Sequence, residues 1–229
     1  MKHVAITFLL LVYCCSKIQS QTIHKKLLFQ EQFKTPLDTN FWKVEKSPKP
    51  TDTVVANNHQ LLINTYEGAT IWYSKPLPAN VYISFNRIIL IDSGKNDRLS
   101  DCNVFFMATD AKPQRMFNRN SNFASYDSLS MYYVGVGGNY NTTTRFRKYG
   151  FDGSKNIIGE YTDSAHLLKA NANYFIEITC LNGRVEYKVN GELFFQFQDP
   201  EPLLGGYFAF RSTRSRQVIS NFQVYQLIP

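Results

Sequence analysis

The sequence predicts an all-β protein, two antiparallel sheets packed as a sandwich. Three observations carry that expectation. Short runs rich in Val, Ile, Tyr, Phe and Thr recur along the 229 residues, with turn residues between them. Helical periodicity is nearly absent, and only 164–168 reads as a short helical turn. Hydrophobic residues make up 44% of the chain and aromatics 15%, which excludes a disordered chain and suffices for one sizeable core.

Strands are expected at 27–33, 60–66, 70–74, 81–91, 103–108, 128–136, 142–149, 174–181, 184–189, 193–198, 206–211 and 218–227. The run 81–91 shows the logic. Val81, Ile83, Phe85, Ile89 and Ile91 share one face, and Tyr82, Ser84 and Asn86 share the other. That alternation sets one face on the core and leaves one partly wet. Arg87 falls on the apolar face, which calls for a partner acid or for a bulge that reverses the face. Asn182-Gly183 and Asn190-Gly191 are hairpin turns, so 184–189 is the middle strand of a meander. The loop 46–50 (Lys-Ser-Pro-Lys-Pro) is rigid and polar but lies too near the N-terminus to divide domains. With no internal repeat or linker, one domain over 21–229 is expected.

Residues 1–20 read differently. Lys2 precedes an apolar run, 4–12, that is too short to cross a bilayer, and a polar stretch ends at Ser20. This is the pattern of a secretory signal peptide, and it predicts an exported protein, periplasmic or extracellular. Lipid attachment at Cys14 or Cys15 is the alternative, disfavoured by Val12 and Tyr13 ahead of them. Cleavage would remove two lysines and no acid, lowering the formal charge from +7 by two. Cys102 and Cys180 would remain, as one disulfide or as two buried thiols.

The basic excess is local. Residues 111–150 hold Lys112, Arg115, Arg119, Arg145, Arg147 and Lys148 against Asp127 alone, and 205–229 hold Arg211, Arg214 and Arg216 with no acid. A nucleic-acid partner would ask for a more uniform basic surface. Arg145 and Arg147 are two apart in a strand and so share a face. If the strands carrying them and Arg211 are neighbours, their guanidiniums converge, and Arg is suited to bidentate recognition of carboxylate or sulfate. Surface pairing with Glu160, Asp163 and Glu201 is the plainer alternative. Gly137-Gly138 permits a tight turn, and Asn139 and Asn141 beside it are short polar groups suited to sugar hydroxyls.

No metal site or cofactor is expected: His24, His59 and His166 have no ligand spacing, and there is no Cys-x-x-Cys. No Gly-x-Ser-x-Gly is present, nor the alternating Glu-x-Asp-x-x-Glu of a retaining glycosidase strand. Asp97, Asp101 and Asp127 remain available for glycosidase chemistry. β-Elimination at a uronic acid fits the inventory better. Arg145, Arg147, Arg211 or Asn103 would neutralise the carboxylate, and Tyr132 or Tyr133 would remove the C5 proton.

The segments 27–33, 189–193 and 219–225 look like strands of the concanavalin A-like lectin/glucanase fold. More specific are Gly68-Ala69-Thr70-Ile71-Trp72-Tyr73, Asn96-Asp97-Arg98-Leu99-Ser100-Asp101, the run 137–147 and Phe210-Arg211-Ser212-Thr213-Arg214-Ser215-Arg216. Together they resemble an uncharacterised bacterial family of that fold, close to the YesU-like proteins. The resemblance implies a jelly roll and a role in the breakdown of acidic polysaccharides, with the sugar on the concave sheet. There Trp72 and Tyr73 would stack on pyranose rings, unless Trp72 is core, and Arg98, Asn103, Asn139, Asn141, Arg211 and Arg216 would bind substrate. A non-catalytic sugar-binding module is the alternative, and a monomer is expected.

Overall fold

The computed structural model describes residues 23–229. The expected signal segment, with Cys14 and Cys15, lies outside the described residues. In chain order the strands are β1 (His24–Glu31), β2 (Trp42–Lys46), β3 (Thr53–Asn57), β4 (Gln60–Thr65), β5 (Ala69–Pro78), β6 (Val81–Ile89), β7 (Cys102–Asp110), β8 (Leu129–Gly137), β9 (Thr143–Tyr149), β10 (Lys155–Tyr161), β11 (Asn173–Leu181), β12 (Arg184–Val189), β13 (Glu192–Gln198), β14 (Gly205–Ser212) and β15 (Ser215–Ile228). One sheet runs β13-β12-β11-β6-β15-β4-β3, with β1 also paired to β15; the other runs β10-β9-β8-β7-β14-β5-β2. All the pairings are antiparallel.

Strands β2, β3 and β10 were not anticipated, and all three lie at sheet edges. An edge strand has one neighbour and leaves much of its surface in water, so its sequence need not alternate. In β10, Lys-Asn-Ile-Ile-Gly-Glu-Tyr shows this plainly. The hairpin turns fall as expected: β12 pairs with β11 and β13, and Asn182 and Asn190 adopt φ of 50° and 52°.

The core lies between the sheets. Phe85 and Phe222 of the first sheet meet Phe208 and Phe210 of the second with ring centroids 5.0–5.8 Å apart, mostly edge to face. Trp42 stacks on Phe210 at 6.2 Å. Such aromatic contacts add about 0.5–1.5 kcal/mol per pair beyond simple burial. Cys102 and Cys180 are buried free thiols, so no disulfide forms between them. Arg87 does face the core, and neither expected remedy is used. Its pairing with β11 is unbroken, and its partners are Gln217 and two main-chain carbonyls.

The second sheet is covered on its outer face as well. Residues 111–128 fold back over it through two single turns, Pro113–Arg115 and Phe123–Tyr126, and bury Trp72, Phe105, Met131 and Tyr126 in a second apolar layer. Glu45 of β2 fastens this roof. Its carboxylate accepts from Trp72 Nε1 at 2.7 Å, from the Tyr126 hydroxyl at 2.8 Å and from the Arg119 backbone N–H at 2.6 Å. Glu45→Gln must turn an amide donor toward one of those donors. The expected result is a loss of about 1–2 kcal/mol in urea unfolding, with faster amide exchange confined to 111–128.

Candidate functional site

Where the roof stops, the outer face of the second sheet is open. Residues directly opposite each other on adjacent strands form a row across it: Arg145 of β9, Gly135 of β8, Asn103 of β7, Arg211 of β14 and Thr70 of β5. The next row begins with Arg147 and Tyr133 and continues with Phe105, Ala209 and Trp72 under the roof. Two clefts of about 280 Å³ and 610 Å³ lie over these rows and share Phe123 and Thr213. They form one groove of the size that takes small ligands. The smaller cleft is lined by Asp101, Asn103, Tyr133, Arg145 and Arg147, and the larger by Tyr66, Arg98, Asn122, Arg211 and Arg214.

The groove is short of partners for its polar atoms. Arg211 is 0% exposed, yet its guanidinium bonds only Thr70 Oγ1 at 3.4 Å and Thr213 Oγ1 at 3.0 Å, and it makes no ion pair among the described residues. Asn103 Oδ1, Arg147 Nε and Arg211 Nε are buried with no hydrogen-bond partner. Unpaired buried polar groups are costly in a finished core and expected where a ligand completes the set. Burial lowers the Arg211 guanidinium from its ordinary value, and Tyr126, Asp101 and Tyr133 offset this.

Tyr133 and Asp101 are the titratable pair of the smaller cleft. Burial holds the Tyr133 phenol well above its usual value, Asp101 and Tyr149 adding to this and Arg147 and Arg211 opposing it. Burial also raises the Asp101 carboxyl, against the pull of Arg98 and Arg211. Asp101 is ion-paired to Arg98 and adopts φ 62°. Among the described residues, no three His, Cys, Asp or Glu side chains converge to hold a metal ion.

The structure gathers some of the sequence-derived site residues and disperses others. Arg145, Arg147, Arg211, Asn103, Tyr133, Arg98 and Asn139 all line the groove. Arg145 is also paired to Glu160, one of the acids anticipated for it. Tyr132 points the other way, into the inter-sheet core, with its hydroxyl 2.5 Å from Asp199. Consecutive strand residues face opposite sides, so only one member of Tyr132-Tyr133 can serve the groove. The same rule splits Trp72 and Tyr73. Tyr73 is in the inter-sheet core, and Trp72 is 0% exposed under the roof, so neither is a sugar platform. Asn141 is occupied with both the N–H and the carbonyl of Leu168. Arg216 is bound through two nitrogens to Asp97.

Other groove residues were not anticipated as binders. Asp101 was considered only for glycosidase chemistry. Gly135 and Phe123 carry no sequence signal, one acting by leaving space and the other arriving on a loop, and Thr143 and Thr213 lie within motif runs without standing out as binders. Asp97 and Asp127, the other acids considered, are tied to Arg216 and Lys155.

Fold and groove together define the class: a concanavalin A-like jelly roll with an open site on one sheet. Residues 63–222 match the family described as a domain of unknown function, DUF6250, and the chain belongs to that family. No curated protein matches it. Among solved structures it is similar to a protein of unknown function with a galectin-like fold from Bacillus subtilis (15% identity, TM-score 0.72, covering 90% of this chain and 99% of that one). It is also similar to the carbohydrate-binding module CBM66 from Bacillus subtilis (14% identity, TM-score 0.56, 82% and 99%). A third similarity is to an endo-β-1,3-glucanase from Pyrococcus furiosus (9% identity, TM-score 0.62, 89% and 95%). At such identities the likeness is one of fold. No helix among the described residues is long and apolar enough to cross a membrane.

Proposed function

We propose that this chain is an exported carbohydrate-active protein whose groove binds an acidic sugar and cleaves its chain by β-elimination. The observation that carries the reading is the buried guanidinium of Arg211, without an ion-pair partner among the described residues, on one row with Asn103 and in the same groove as Arg147. A uronate carboxylate supplies the missing acceptors, and its charge is then spread over two guanidiniums. The resemblance of the sequence motifs to a family close to the YesU-like proteins, if it holds for function, implies the same acidic-polysaccharide context.

Neutralising the carboxylate makes the neighbouring C5–H more acidic. In this reading Asp101 takes that proton, the freed electron pair forms the C4=C5 double bond, and the C4–O bond breaks. The departing oxygen takes a proton from the Tyr133 hydroxyl. Solvent then returns the Asp101 proton to Tyr133. The raised phenol suits a proton donor, so the elimination uses Tyr133 as acid rather than as resident base. A glycosidase dyad fits less well, since Asp101 is the one carboxylate lining the smaller cleft and Glu67, at the rim of the larger, is bound to Lys49.

The test is incubation with polygalacturonate, rhamnogalacturonan, ulvan and alginate, read by absorbance of the unsaturated product. At least one should give a signal. Activity should rise with pH through a limb above the ordinary carboxylate range, because Asp101 must be ionised and its pKa is raised. Reducing ends without unsaturation would overturn the elimination. Calorimetric binding of intact polymer with no product would leave only a sugar-binding module.

A further inference from the structure

Directly beneath the groove, the apolar core contains a polar network with no acid in it. Arg87 is 0% exposed and makes no ion pair among the described residues. Its Nε donates to Gln217 Oε1 at 2.6 Å, Nη1 to the Asn103 carbonyl at 2.8 Å, and Nη2 to the Arg211 carbonyl at 2.9 Å. Gln217, also 0% exposed, has its Nε2 within reach of the carbonyls of Asp101 at 3.1 Å and Ser100 at 3.3 Å and of the hydroxyls of Ser212 and Ser215, its two N–H groups shared among them. Arg87 and Gln217 belong to β6 and β15 of the first sheet; besides each other and Ser215, at the start of β15, the groups they hold belong to the second sheet or to its entry loop.

The placement is selective. Asn103 and Arg211 are opposite one another on neighbouring strands, and their side chains stand on the groove side. Their carbonyls are gripped from the core side by a single guanidinium. A planar fork of fixed geometry therefore sets the relative position of two strands at the row where the ligand-binding groups stand. Asp101 is held by the same network through Gln217, in the left-handed backbone conformation that turns the chain into β7. A buried cation without a counter-ion is an expensive way to fill a core, and Leu or Met would fill it more simply.

We infer that Arg87, with Gln217, is a positioning residue for the groove: it reaches across the sandwich to fix Asn103, Arg211 and Asp101 from behind without touching the ligand. The inference rests on the acidic-sugar reading of the groove for its ligand, but not for its geometry.

Three variants test it: Arg87→Met, Arg87→Lys and Gln217→Glu. Gln217→Glu keeps an acceptor for Arg87 Nε and supplies a counter-charge, but loses the donors that hold Ser100 and Asp101. It therefore remains decisive if Arg87→Met does not fold. Binding of oligogalacturonate, alginate oligomers and ulvan oligomers is measured by calorimetry, beside thermal melts and amide NMR spectra. Ile83→Val, on the same strand, serves as the control for simple core damage.

The expected result is binding weaker by about tenfold or more in Arg87→Met and Gln217→Glu, out of proportion to the change in melting temperature. The backbone signals of Asn103, Arg211 and Asp101 should shift, and Ile83→Val should leave them in place. Arg87→Lys should not restore binding, because one ammonium cannot span the two carbonyls. Wild-type affinity with unshifted signals in either Arg87→Met or Gln217→Glu would overturn the inference. If the wild type itself binds none of the three oligomers, the acidic-sugar reading fails, and the NMR shifts alone decide whether Arg87 positions the row.

Discussion

Replacing Arg211 by Met is expected to weaken uronate binding by about 10²–10³-fold while leaving the fold as stable as before or more so. The two effects have one cause. Arg211 is fully buried, bonded to two threonine hydroxyls and set 5.7 Å and 5.5 Å from the ring centroids of Phe123 and Tyr126, with no carboxylate ion-paired to it. Without ligand, its charge costs desolvation free energy that nothing nearby returns in full. Apolar replacement of buried charges of similar volume is often neutral or stabilising by about 1–4 kcal/mol. With ligand, the same guanidinium is the acceptor's main partner, and removing one side of such a buried charged contact costs about 2–5 kcal/mol. Arg211→Lys keeps the charge but loses the fork and should recover only part of the affinity. Calorimetric binding and urea unfolding of the same samples check both signs. A variant that loses stability and binding together would mean that Arg211 is a structural residue. Gly68 belongs to the same arrangement: at φ 134°, a Cβ there would stand 2.5 Å from Arg211 Nη2, so the guanidinium lies flat against backbone where no side chain fits.

How far such a site can be read from sequence depends on which residues mark a face. In β6, one apolar face and one mixed face make the alternation visible, and even Arg87 is assigned to the correct side. In β8, all nine residues are buried, because the core covers one face and on the other the roof layer takes in Leu129, Met131 and Tyr133 while Gly135 lies at the floor of the cleft. The period of two then vanishes, and nothing within Tyr132-Tyr133 says which ring faces the groove. Arg145 and Arg147 could be placed together because their spacing fixes a shared face whatever covers it. Arg216 looked equivalent to Arg211 in sequence. Its fate was decided by Asp97, 119 residues away in the chain, which the fold brings against it. The roof was the least visible part. It is a loop that makes a second apolar layer, and it withdrew Trp72 from the groove by covering it.

The sharpest test of the chemistry is a single methyl group. Gly135→Ala is expected to lower turnover by about 10²-fold or more with only a modest effect on ligand affinity. Gly135 stands in the row between Arg145 and Asn103, and the Tyr133 ring reaches over it. A Cβ at that position would lie 2.7 Å from Asn103 Oδ1 and closer still to the Tyr133 hydroxyl. Neither atom can stay, so the hydroxyl must swing out of the cleft. Arg211 and Arg147 are not displaced by the methyl and still hold the carboxylate. A small misplacement of a group that acts in the transition state costs turnover rather than binding. The fold should survive, because the crowded atoms face an open cleft, and overpacking of this kind costs about 1–3 kcal/mol. Tyr133→Phe provides the matching control: it removes the hydroxyl without adding volume and should lose turnover to a similar degree. If Gly135→Ala turns over at the wild-type rate, the proton donor is not Tyr133, and the elimination must draw its proton from another group in the groove.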